Sequence, residues 1–185
     1  MRGLVLTLLN QMVEERLGFE VWERALEVVR PSSGGVYTAG ERYDDAELGA
    51  LVAALADITA LPADTLVTDL GRYTLAAFAR MHPEHFRDRS ARELLLSVDR
   101  VIHIEVRKLH PDASLPAFEY ETSDPDRLVM LYRSPRRMCA FAVGLVEGVA
   151  RHYATPIHHR ETRCLHRGDD HCRFELAFGE PGLAA

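Results

Sequence analysis

Lysine is almost missing from this 185-residue chain: Lys108 is the only one among 22 basic residues, and arginine supplies the rest. No basic run occurs and the formal charge is −6. That excludes the electrostatic footprint of a protein that binds nucleic acid or an anionic membrane. Long apolar runs are missing as well. The stretch Gly3 to Leu9 is broken by Asn10, Gln11, Glu14 and Glu15; it is too short to span a bilayer and lacks a small-residue cleavage site, so the expected location is the cytoplasm. Cysteine is scarce. Three residues, an odd count, argue for a metal site or free thiols in a reducing compartment and against a disulfide framework. No glycine-rich phosphate loop, nucleophile–base pair or open metal site is present, so the chain is not read as an enzyme.

A hydrophobic content of 47% is enough for one compact domain over 1–185 with two lobes, a helical one over about 1–62 and a second over 63–185. The first two-thirds read as helices. Gly3 to Leu17 is amphipathic and stopped by Gly18, and Phe19 to Val29 is ended by Pro31. Asp44-Asp45-Ala46-Glu47 and Ser90-Ala91-Arg92-Glu93 have the form of capping boxes. The first opens a helix to about Ala60 and the second a helix to about Leu109, with a helix after Pro62 between them. Beyond Pro111 the texture changes. Phe118–Thr122 and Arg127–Tyr132 predict a hairpin, Arg137–Tyr153 an apolar helix, and Pro156–Leu165 and His171–Phe178 two further strands. The fold class is α+β: helices first, then helices plus an antiparallel sheet.

Two strings carry chemistry. Val101-Ile102-His103-Ile104-Glu105 offers one imidazole on an apolar helix, which taken alone is most often a core histidine with a hydrogen bond. Tyr132-Arg133-Ser134-Pro135-Arg136 sets a phenol, a hydroxyl and a guanidinium at alternate positions, so an extended segment would aim all three the same way. Converging donors make a socket for a carboxylate. A lone nitrogen ligand plus a carboxylate socket is what a protein needs to hold a porphyrin, one bond to the iron and one anchor for the propionates.

Met1-Arg2-Gly3, Trp22, the Val-Ile-His-Ile-Glu-Val helix, Pro116 and the Tyr-x-Ser-x-Arg string together resemble the heme nitric oxide/oxygen binding (H-NOX) family, in its order and approximate spacing and along essentially the whole chain. The resemblance implies a heme b held between the lobes, with His103 as the axial iron ligand, Tyr132, Ser134 and Arg136 on the propionates, and Pro116 packed against a distorted porphyrin. It places Leu9, Tyr73, Thr74, Phe78, Phe141 and Leu145 in the pocket. Oxygen-binding members carry a tyrosine on the helix after Tyr-x-Ser-x-Arg, where this chain has Phe141, and the facing first-helix position is Leu9. Tyr73 and Thr74 are the nearest alternative donors, and threonine more often satisfies its own helix backbone. The implied function is a sensor of nitric oxide, also binding carbon monoxide and excluding oxygen. Its signal would follow from loss of the bond between iron and His103 and pass in trans to a histidine kinase or to a diguanylate cyclase or phosphodiesterase of cyclic-di-GMP signalling.

Cys164 and Cys172 flank the Gly168-Asp169-Asp170 turn, Glu161 lies three residues before Cys164, and Cys139 sits on the preceding helix. Thiolates plus a carboxylate oxygen suit a structural zinc. Zinc-containing family members place a histidine where Glu161 stands, which leaves His159, His166 and His171 as substitutes. Glu-x-x-Cys with a later Cys also resembles the zinc site of vinyl-reductase-type sensor domains. Two other readings follow: a heme-free module for a small organic effector, and a zinc/thiol redox sensor, with three reduced thiols or a Cys164–Cys172 disulfide as the simplest state.

Overall fold

Helices form where the chain carries start and stop signals. A computed structural model describes residues 1–179. α1 (Gly3–Arg16) is stopped at Gly18, whose φ of 99° suits a residue without a β-carbon. α2 (Phe19–Val29) ends ahead of Pro31. At the start of α3 (Asp45–Thr59) the Asp44 carboxylate accepts from the Ala46 N–H at 2.9 Å. The second half of the expected capping box is not made there. Glu47 instead accepts from Ser33 Oγ and, at 2.7 Å, from Tyr37 Oη, and so ties the 33–37 segment to α3. α4 (Ala63–Met81) follows Pro62 directly and ends before Pro83.

At Ser90 the box is complete, with the Ser90 N–H donating to the Glu93 carboxylate at 2.7 Å and the Glu93 N–H to Ser90 Oγ. The helix it opens is not the single one expected through Leu109. α5 (Ala91–Ser97) passes into a wide π-turn over Val98–Ile102, and α6 (His103–Leu109) continues beyond it. The N–H of His103 donates to Val98 O, five residues back.

The sheet is antiparallel in the order β1 (Ala117–Glu121), β2 (Arg127–Arg133), β4 (Cys172–Phe178), β3 (Ile157–Arg163). Between β2 and β3 runs α7 (Cys139–His152), which lies against α4 almost backbone to backbone. A β-carbon on Gly71 would sit 2.9 Å from Gly144 Cα, so neither position has room for a side chain.

Two apolar cores result. One gathers α1, α2 and α3 with Leu66, Leu70, Tyr73 and Ala77 of α4; the other gathers α5, α7, the sheet and Leu75 of α4. The lobe boundary expected near residue 62 therefore falls just ahead of a helix that both cores share. Among the described residues no single helix is long and apolar enough to cross a membrane.

Candidate functional site

A mostly apolar cavity opens between the two cores, with about 240 Å³ of space open to the centre of a water molecule. His103 enters it directly after the π-turn and is 9% exposed. Its Nδ1 pairs with Asp99 Oδ1 at 3.3 Å, one turn earlier, which leaves Nε2 for a ligand. Burial pulls the imidazole below its usual pKa, while Asp99 opposes that shift; the neutral ring is the form that ligates a metal. An aromatic chain then leads away from the histidine. The Phe118 ring lies 5.7 Å from that of His103 and 5.5 Å from that of Tyr132, its cross-strand partner.

Tyr132, Ser134 and Arg136 all line the cavity, but not as one extended run. β2 stops at Arg133, and a turn closed by Arg137 N–H to Ser134 O at 3.2 Å carries the last two around the rim. Arg137 takes a φ of 49° to make that turn. Tyr132 and Ser134 are buried, and burial raises the phenol pKa, so Tyr132 is a donor. Arg136 donates from Nε to Asp45 Oδ2 at 2.8 Å and from Nη1 to Ser114 O.

Thr74, Phe78, Pro116, Phe141 and Leu145 also line the cavity. Leu9 and Tyr73 lie elsewhere. Leu9 is fully enclosed in the N-terminal core. Only the first turn of α1, tied by Gly3 N–H to Glu41 O at 2.9 Å, borders the cavity, so Val5 stands there, one turn ahead of Leu9. Tyr73 points toward α1, donating to Glu15 at 2.8 Å with Arg16 over its ring. Thr74, the next residue of α4, is 2% exposed, and its Oγ1 has no hydrogen-bond partner. Its hydroxyl therefore does not satisfy the helix backbone as expected from sequence. The sequence also gave no sign of Met1, Arg2, Arg42 and Asp112 at the cavity's polar end; their charges look like any solvated pair until the fold brings residue 2 to residue 112.

On the far side of Tyr132 the cross-strand partner is Cys172, and there the second site begins. Donor atoms of Cys139, Glu161, Cys164 and Cys172 all lie within 4.8 Å of one another. Cys139 Sγ is 2.9 Å from Cys172 Sγ and 3.8 Å from Cys164 Sγ, so Cys139, not Cys164, is the near neighbour of Cys172. A bulge between Glu161 and Arg163 and a turn closed by Gly168 bring Glu161 and Cys164 in from β3. Burial and the neighbouring sulfurs push the Cys139 thiol far up, and burial pushes Cys172 up to about 11. Glu161 Oε1 is buried without a partner. The three substitute histidines have other partners: His159 pairs with Glu147 at 3.2 Å, His166 with Arg137 O at 2.6 Å and His171 with Asp170 at 2.7 Å.

The haem-NO-binding family model matches residues 2–161. Among solved structures, an H-NOX protein from Shewanella oneidensis in the Fe(II)NO state aligns at 29% identity and a TM-score of 0.90, over 97% of this chain and all of that one. The Fe(II) unliganded H-NOX protein from K. algicida aligns at 26% identity and TM-score 0.86 over the whole of both chains. The IWP-051-bound H-NOX from Shewanella woodyi, in the Fe(II)CO state, aligns at 30% identity and TM-score 0.85 over 100% of this chain and 97% of that one. No curated protein matches. With the family model spanning most of its length, the chain belongs to the H-NOX, or haem-NO-binding, family.

Proposed function

We propose that the chain is a heme-based sensor of nitric oxide that also binds carbon monoxide, excludes oxygen and signals to a separate protein. The observation that carries this is the pairing, in one apolar cavity, of an imidazole held by Asp99 with a rim of Tyr132, Ser134 and Arg136. The residues fit a porphyrin: a neutral nitrogen faces an apolar space, and Tyr132, Ser134 and Arg136 set donors able to hold carboxylates along its lining. The Shewanella relatives, solved with nitric oxide or carbon monoxide on Fe(II), support the same reading.

A bound heme would supply a ferrous iron able to take a diatomic gas. His103, with Nδ1 held by Asp99, would ligate that iron through Nε2 and would tie the cofactor to α6. Loss of His103 from the iron would free α6 at the π-turn that precedes it, and the altered surface is what a histidine kinase or cyclic-di-GMP enzyme would read. Val5, Phe78, Phe141 and Leu145 exclude water and offer no donor to oxygen. Thr74 carries a buried hydroxyl at that wall that has no partner in the protein. Zinc, held by Cys139, Cys164, Cys172 and Glu161, would supply the positive charge that lets buried thiols ionise and that Glu161 Oε1 lacks.

The test is an absorption spectrum of reduced, purified protein with and without nitric oxide. A Soret band that shifts to a five-coordinate nitrosyl form is expected. A protein that stays colourless after heme loading points to the effector-binding reading instead. Elemental analysis of reduced, chelator-free protein is expected to find about one zinc per chain; none, with a Cys139–Cys172 disulfide forming readily, favours the thiol sensor.

A further inference from the structure

The Tyr-x-Ser-x-Arg string supplies one guanidinium for a cofactor that carries two carboxylates. At the same end of the cavity stands a second guanidinium, that of Arg2. Its side chain is 20% exposed. Nη1 donates to Gly40 O at 2.8 Å, Nη2 to Asp112 Oδ1, and Nε is buried with no partner. Nε and Nη2 form the edge of the arginine fork that grips a carboxylate with two parallel hydrogen bonds. Asp112 takes half of that edge and leaves the other half empty. Its second oxygen is held by Arg42 Nη1 at 3.3 Å, and its side chain is 54% exposed, on the segment that leads from α6 to β1.

We propose that Arg2 is the anchor for the second carboxylate of the porphyrin and that Asp112 occupies its place until the cofactor arrives. A propionate that engages both Nε and Nη2 satisfies the orphaned donor, and it displaces Asp112 toward Arg42 and solvent. The exchange is favourable because a bidentate pair at a half-buried guanidinium replaces a one-point pair with a largely exposed carboxylate. This inference rests on the heme reading above. It assigns Arg2 and Asp112 opposite effects on the cofactor, where a purely structural tie would give them the same one.

The experiment measures heme transfer from the ferric protein to an excess of an apoprotein scavenger. The variants are Arg2→Gln and Asp112→Asn. Arg2→Gln is expected to lose heme on the order of tenfold faster than wild type, and Asp112→Asn several-fold more slowly. With heme dimethyl ester, whose propionates are capped, the Arg2→Gln difference should vanish. Both variants losing heme faster to the same degree, or an Arg2→Gln effect that survives esterification, would overturn the proposal while leaving the heme reading intact. A wild type that takes up no heme overturns both.

Discussion

In the proposed sensor, Thr74 and Phe141 are the residues that would decide between gases. Phe141 presents a hydrocarbon face where a phenol would offer a donor, and Thr74 has a buried hydroxyl that bonds nothing in the protein. An unsatisfied buried hydroxyl costs about 1–3 kcal/mol. Thr74→Val, which replaces it with a methyl of the same shape, should therefore raise the melting temperature of the heme-free protein by a few degrees, roughly 2–4 °C per kcal/mol for a chain of this size. The same variant should leave carbon monoxide binding to the ferrous protein unchanged. Phe141→Tyr should lengthen the lifetime of a ferrous oxygen complex that is too brief to record in the wild type. A wild-type oxygen spectrum lasting minutes would contradict the assignment of these two residues. At this scale the sequence was legible where chemistry is rare. His103, Tyr132, Ser134 and Arg136 stand out by type and spacing, and all four meet at the cavity. Apolar residues carry no such mark: Val5 and Leu9 share a face of α1, and only the placement of the helix end selects Val5.

Among the elements, α4 and α7 supply Thr74, Phe78, Phe141 and Leu145 to the cavity and Cys139 to the cysteine cluster, and their spacing is set by glycine. Gly144 packs against the Thr68 carbonyl and Gly71 against that of Phe141. Gly144→Ala should force the helices apart. A loss of at least 1–3 kcal/mol is expected by chemical denaturation, with faster heme loss because Thr74 and Phe141 move with their helices. A variant as stable as wild type would mean that the two backbones do not meet as described. Helix starts and stops were readable because capping residues, glycine and proline act over a few residues. The π-turn was not, because the residue types at Val98–Ile102 do not distinguish it from the α-turns on either side. Glu47 was misread for a related reason. Ser33 and Tyr37, brought close by the fold, compete for its carboxylate and win over the helix end.

Across the whole molecule the two cores share α4, and a carboxylate on α3 adds a further tie between them. Asp45 binds the Met1 ammonium through Oδ1 and the Arg136 guanidinium through Oδ2, so it bridges the start of the chain to the rim of the cavity. Burial alone would raise its pKa, but the ammonium and Arg136 together hold it below the ordinary value of 3.8. A carboxylate whose folded pKa is depressed adds stability that is fully present above its unfolded pKa. That contribution is lost as pH falls through the lower folded value. Asp45→Asn should thus lower the melting temperature at neutral pH, by an amount limited because the side chain is 48% exposed. The difference between variant and wild type should then shrink as the pH is taken below 3.8, where the wild type has lost the same charge. Melting curves recorded from pH 7 down to the acid limit read this directly. A difference that stays constant across that range would place the effect of Asp45 in packing and not in its charge.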